Sequence, residues 1–248
     1  MRPDLLEAQA CVDWPMSQLA DLSKRLKEWL ERGVTIELKE LPPPNDQNLI
    51  IAIENELLPL HFQAEVGAYI NSIRSSLDVL AMVLVQRHNM QLPEHRVFFP
   101  ISKSKDEFER AGSSAQNFIA GLSTLERQLI EHLQPYQGGN VALWALHHLD
   151  IVRKHRRLLN AKLTPIHMSP QGTLKGGDFT PLGGIGSIQV GAETVLGMLK
   201  KGVPPLAVQT TFYVGIDEQG FAARKPAIAV LSQLANAAAY TIKLFDGA

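Results

Sequence analysis

Leu19, Leu22, Leu26, Trp29 and Leu30 recur at intervals of three and four, which predicts an amphipathic helix over residues 17–32 ended by Gly33. Two alternating runs follow, 34–40 and 48–57. The tract Pro42-Pro43-Pro44-Asn45-Asp46 between them cannot continue a ladder and suits a turn, so the pair reads as a β-hairpin. Residues 60–89 then form the longest helical pattern, free of internal proline and closed by Leu92-Pro93. A short charged helix is expected over 104–111. Another is expected over 124–133, opened by the capping-box pair Ser123 and Glu126 and stopped by Pro135. Gly138-Gly139-Asn140 resets the chain for a helix from 141 to about 160.

Beyond Pro165 glycines and β-branched residues become frequent. Strands are expected over 186–190, 194–200 and 206–216, the last with clear alternation of Val208, Thr210, Phe212 and Val214 against their neighbours. Gly183-Gly184-Ile185-Gly186 reads as a turn between strands. Lys225-Pro226 opens a final helix to about 245. Strands and helices are segregated, which favours an α+β fold over alternating βαβ units. The expected architecture is a single α+β domain spanning 1–248. Two long helices anchor its helical bundle over about 60–160, with an N-terminal hairpin and, over about 162–248, an antiparallel sheet plus a terminal helix.

Composition narrows the chemistry. The chain has 248 residues, 45% apolar and 20% charged, and 24 basic against 25 acidic side chains leave a net charge of -1. That balance excludes a globally basic nucleic-acid binder but leaves room for a local basic patch. One cysteine, Cys11, excludes a disulfide framework or a Cys-rich zinc site. The longest unbroken apolar run, 79–85, is too short to span a bilayer, and no secretory signal pattern opens the chain. No membrane association is expected, and a cytoplasmic location is. No P-loop, nucleophile elbow or dinucleotide fingerprint occurs, so no cofactor is expected.

One polar constellation stands out. On the long helix Asn71, Arg74 and Asp78 fall within about 60° of one another. Every residue from Leu77 to Val85 except Asp78 is apolar, so the Asp78 carboxylate needs a cation or donor, and Arg74 is one turn away. On the later helix Val141, Trp144, Ala145, Ile151, Val152, Leu158 and Leu159 define an apolar arc. His148 and His155 project into that arc, while Asp150, Lys154, Arg157 and His147 face outward. If the two helices pack, Asn71, Arg74, Asp78, His148 and His155 line a cleft in which Asp and His supply an acid or base and Arg stabilises an anion such as a phosphodiester. On pattern alone the leading reading is instead a buried polar network that fixes helix register. His147, His148, Asp150 and His155 carry possible metal donors, but no His pair stands at the helical i, i+4 step, and no metal site is expected.

At the same residues the chain resembles a widespread set of uncharacterised bacterial proteins. The matching motifs are Asn71-Ser72-Ile73-Arg74-Ser75-Ser76-Leu77-Asp78-Val79-Leu80-Ala81 and Leu146-His147-His148-Leu149-Asp150-Ile151-Val152-Arg153-Lys154-His155-Arg156, within a likeness over roughly 60–160. The first motif is in turn similar to the Arg-x4-6-His signature of HEPN domains, helical bundles that often act as metal-independent ribonucleases and often dimerise. Arg74 takes the arginine position, and Val79 stands where a histidine would; Arg127 and His132 fit the spacing elsewhere. The resemblance implies RNA or another phosphate-bearing ligand as partner, and a homodimer. His155, Arg74, Asp78 and His148 are then the catalytic candidates, with Asn71, Asp150, Lys154 and Arg156 as binding residues. The alternatives are a non-enzymatic binding or scaffolding module and a metal-dependent hydrolase.

Overall fold

The structure, a computed structural model, describes residues 1–155, 157–170, 175, 177–182, 188, 190–204, 208–218, 220–223 and 225–247. It is an α+β fold. In chain order the elements are α1 (Leu6–Gly33), β1 (Val34–Glu40), β2 (Gln47–Glu54), α2 (Leu60–Arg87), α3 (Lys105–Glu109), α4 (Ser114–Ala120), α5 (Thr124–Leu133) and α6 (Val141–His155). They continue with β3 (Ala161–Pro170), β4 (Phe179–Pro181), β5 (Glu193–Lys200), β6 (Val208–Ile216) and α7 (Ala227–Leu244).

The bundle is larger than the one expected. Helix α2 packs against α1, α6 and α7, and α7 also touches α1 and α6. Ile70, Ile73, Leu77, Leu80 and Leu84 of α2 are completely buried at its centre. No residue from Leu77 to Val85 is exposed, which is why that stretch is apolar at every position but Asp78. By length and composition alone α2 and α7 are both apolar enough to cross a membrane, a property that counting unbroken runs misses. In the fold, 56% of the relevant window of α2 and 44% of that of α7 lie buried.

Helix α1 begins eleven residues before the expected start and runs straight through Pro15. A proline inside a helix removes one N–H and leaves the carbonyl four residues earlier without its donor. Here that carbonyl belongs to Cys11, and the Ser72 hydroxyl of α2 donates to it at 2.8 Å. The interruption in α1 thus becomes a polar peg between the two helices. Elsewhere local chemistry matches expectation. Ser123 and Glu126 form a complete capping box on α5, and the Asn140 side chain accepts from Leu143 N at the start of α6.

The expected N-terminal hairpin and C-terminal antiparallel strands are both present, and the order in which they join could not be read from the sequence. Hairpin β1–β2 is continued by β5 and then β4 in one antiparallel sheet of order β1-β2-β5-β4, while β3 and β6 pair as a second, two-stranded sheet. Strand β2 meets β5 in the register Gln47↔Lys200 to Ile53↔Glu193. Strand β3 was not expected because Pro165 interrupts its pattern; the register with β6 shifts between Pro165 and His167, the kind of irregularity that admits a proline into a ladder. The expected strand 206–216 appears as β6, with 206–207 outside the described residues. The expected turn at 183–186 and most of the expected strand 186–190 lie outside them too.

A second buried polar junction ties the helices at their far end. Glu126, only 1% exposed, meets Arg87 Nη1 at 3.0 Å and also pairs with His88, while Arg87 Nη2 reaches Asp4 at 3.0 Å. Burial pushes the Glu126 carboxyl up, but hydrogen bonds from Ser123, Arg87 and His88 outweigh it and hold the group below its ordinary range.

Replacing Ser72 by Ala strips the Cys11 carbonyl of its donor and is expected to lower the unfolding free energy by about 1–3 kcal/mol in a denaturant titration. An unchanged midpoint would mean that water satisfies this carbonyl instead.

Candidate anion-binding cleft

Helices α2 and α6 do pack, as the sequence reading required, and the seam explains itself residue by residue. Gly67 of α2 abuts Arg153 of α6 so closely that a Cβ at Gly67 would sit 2.7 Å from Arg153 Cδ. Two turns along α2, Arg74 shares a cleft with His147. The helices therefore run antiparallel, and position 74 faces position 147.

That cleft, about 630 Å³, is closed on its other side by the segment 96–103 and by α3 and the start of α4. Arg74 forms its floor with a side chain only 5% exposed. Its Nη1 lies 2.7 Å from Asp78 Oδ1, the ion pair expected from the spacing. The approach is off the line of the Nη1 N–H bonds, so Nη1 has no aligned acceptor despite the charge contact. Asp78 Oδ1 also accepts from the backbone N–H of Phe99 at 3.1 Å, which pins the 96–103 segment onto α2.

The rim is basic. Arg96, Lys103 and Arg110 are exposed and, among the described residues, have no carboxylate partner, whereas the lining includes one acid, Glu107. The Glu107 carboxylate accepts from Lys103 N at 2.9 Å. With Arg74 offset by Asp78, the cleft keeps a positive excess from its three rim cations. Ser102 and Ser114 add hydroxyl groups. The arrangement suits an oxyanion with several acceptor oxygens.

His147 is the titratable group of the floor. Burial, followed by the positive charge of Arg74, pushes its imidazole from 6.5 down to about 4, so the ring is neutral at pH 7. A histidine so depressed is a poor proton shuttle near neutrality but can donate one hydrogen bond.

The remaining expected site residues separate. The structure turns α6 away from the predicted phase: Leu143, Leu146, Leu149 and Asp150 are buried, while Trp144 sits on the outward ridge. His148 consequently leaves the Arg74 cleft and lines a different one. His155 is exposed at the end of α6, about 12 Å along the axis from His147. Asp150, expected outside, is buried; its carboxylate pairs with Lys154 at 2.7 Å and lies 3.6 Å from Arg153. Asn71 is half-buried one turn before Arg74 and is not part of the cleft lining. Arg156 lies outside the described residues. Arg127 and His132 are both exposed on α5, with Arg127 bonded to Ala120 O, and take no part in the cleft. Among the described residues no three His, Cys, Asp or Glu side chains come together as metal ligands would.

Sequence reasoning missed Arg96, Lys103, Arg110 and His147. The first three sit in loops or at the end of a five-residue helix, where no periodicity marks them. His147 was visible but placed one position out of phase.

The chain matches no family model, no curated protein and no solved structure.

Because His147 resists protonation when folded, stability contributed by its neutral form is complete above pH 6.5 and is lost as pH falls towards 4, where the unfolded chain binds the extra proton first. His147→Gln is expected to remove about 3 kcal/mol of that acid sensitivity. Urea titrations of both proteins between pH 7 and 4 check this. Parallel losses in the two would contradict a buried neutral imidazole.

Proposed function

We propose that this protein is a binding module for a phosphate-bearing ligand, with single-stranded RNA as the polymer it holds, and that it retains its ligand without cutting it. The observation that carries the reading is the combination of a buried, incompletely hydrogen-bonded Arg74 with three cations on the rim of one cleft that have no carboxylate partner among the described residues. Phosphate contacts of this kind supply most of the affinity of sequence-independent nucleic-acid binding. Four cations against the Asp78 and Glu107 carboxylates leave an excess of two positive side chains in one concavity, which does this even in a chain of net charge -1, because field strength depends on local and not global charge.

Binding is favoured over cleavage by the positions of the acid–base candidates. His155, the base that the likeness to HEPN ribonucleases would require in place of Val79, is far along α6, and His148 opens into the other cleft. His147 is within the cleft, but its depressed basicity suits hydrogen bonding better than proton transfer at neutral pH. The Arg74–Asp78 pair then serves to shape the floor.

The rim can be tested without touching the core. Arg96→Gln, Lys103→Gln and Arg110→Gln combined are expected to weaken binding of a fluorescent single-stranded RNA at least roughly tenfold by anisotropy. The slope of log K against log salt should shrink by about 2, from three lost contacts at about 0.7 each. The RNA should be recovered intact after incubation in EDTA. Equal affinity and slope for the wild type and the triple variant would overturn the reading. Cleavage by the wild type in EDTA would replace it with the ribonuclease alternative.

A further inference from the structure

Helix α6 separates two clefts. His147 lines the cationic one, and the next residue, His148, lines the second, which is about 530 Å³ and is bounded by Trp144 on α6 and by Phe221 from the segment that leads into α7. Consecutive helical residues diverge by about 100°, so the two histidines open to opposite flanks of one ridge. Trp144 crowns that ridge. Its ring centroid is 6.0 Å from that of His147 and 6.0 Å from that of His148, so the indole stands between the two imidazoles.

The second cleft has a different chemistry from the first. Its walls include Val141, Trp144, Leu149 and Phe221, and its polar groups are the Gln137 amide and the His148 imidazole. Lys225 lies over the Phe221 ring at 3.8 Å from its centroid, an ammonium at the aromatic wall. Its volume falls in the range of about 300–1,000 Å³ typical of small-ligand sites. Half-exposed indole and phenyl rings, with an amide and an imidazole beside them, match what a splayed-out base requires: a π-face to stack on and donors and acceptors for its edge.

We propose that the Trp144–Phe221 cleft is a nucleobase subsite, which takes a base of the same strand whose phosphates occupy the cleft on the His147 side. The proposal rests on the phosphate-binding reading above and deepens it, because it makes the ligand a nucleic acid with unstacked bases in place of any polyanion. The order of the two clefts across α6 means that one strand crosses the ridge at Trp144, its backbone on the basic flank and its base on the aromatic flank. Duplexes, whose bases are already stacked, would engage the cationic cleft alone.

Two probes separate the two clefts: a hexa-adenylate RNA and an abasic ribose-phosphate chain of the same length, each titrated calorimetrically into the full chain. The wild type is expected to bind the RNA roughly tenfold more tightly than the abasic chain, since stacking contributes a factor of that order per base. Trp144→Leu, which keeps an apolar side chain on the ridge, should abolish the preference while leaving affinity for the abasic chain unchanged. Phe221→Leu, on a different element, should reduce the preference in the same direction and serves where the Trp144 variant fails to fold. Equal binding of the two probes by the wild type, or a preference that survives both substitutions, would overturn the subsite while leaving the phosphate cleft standing. Binding of neither probe by the wild type would overturn the phosphate cleft and the subsite with it.

Discussion

A guanidinium buried on the central helix needs a carboxylate, and the way Asp78 meets that need shapes everything around the cleft. One oxygen, Oδ1, faces Arg74 at 2.7 Å and also receives the Phe99 N–H at 3.1 Å. The same atom therefore neutralises the floor and fastens the wall. Removing either charged partner would leave the other uncompensated, which is far more costly than the pair is stabilising. Because the pair is formed inside α2, between residues one turn apart, its geometry is set by the helix and needs no loop to hold it. The loop is the part that is held.

From that fixed floor the electrostatics follow. Arg74 and Asp78 cancel to first order, so the field in the cleft is that of Arg96, Lys103 and Arg110, tempered by Glu107. These cations sit at the rim in water, where each interaction with an anion is modest and salt-sensitive. At the floor, partial burial and then the charge of Arg74 keep His147 neutral. On the proposed reading, the rim steers a ligand and the floor orients it. On the other flank of α6, Trp144 and Phe221 replace charge with aromatic surface, so a single helical ridge divides two clefts of different chemistry.

Much of the fold was legible because its signals are local. The Ser123–Glu126 capping box, the long α2 and the alternation of β6 needed only their own neighbours to be read. What could not be read was settled by partners distant in sequence. Pro15 looks like a barrier until Ser72 supplies the missing donor sixty residues away. Pro165 breaks a pattern that β6 then restores across a register shift. The pairing of β2 with β5, separated by the whole helical section, leaves no trace in either strand alone. The site divides in the same way. Arg74 and Asp78 were legible as a pair at helical spacing on a buried face. The phase of α6 was misjudged because Asp150 counts as polar by type yet is buried, paired through Oδ2 with Lys154 on its own helix, while Trp144 is apolar by type yet only half-buried. The rim cations come from irregular segments and had no period to betray them.

On the proposed reading the ligand sits in the cleft between the 96–103 segment and α6. Backbone amide NMR of the uniformly labelled protein, titrated with single-stranded RNA at low salt, tests this most directly. The largest shifts are expected at Arg96, Phe99, Lys103, Arg110 and His147, with the Phe99 amide, held by Asp78, among the first to respond. Shifts confined to the β-sheets or to the outer face of α1, with these five amides unmoved at saturation, would contradict it.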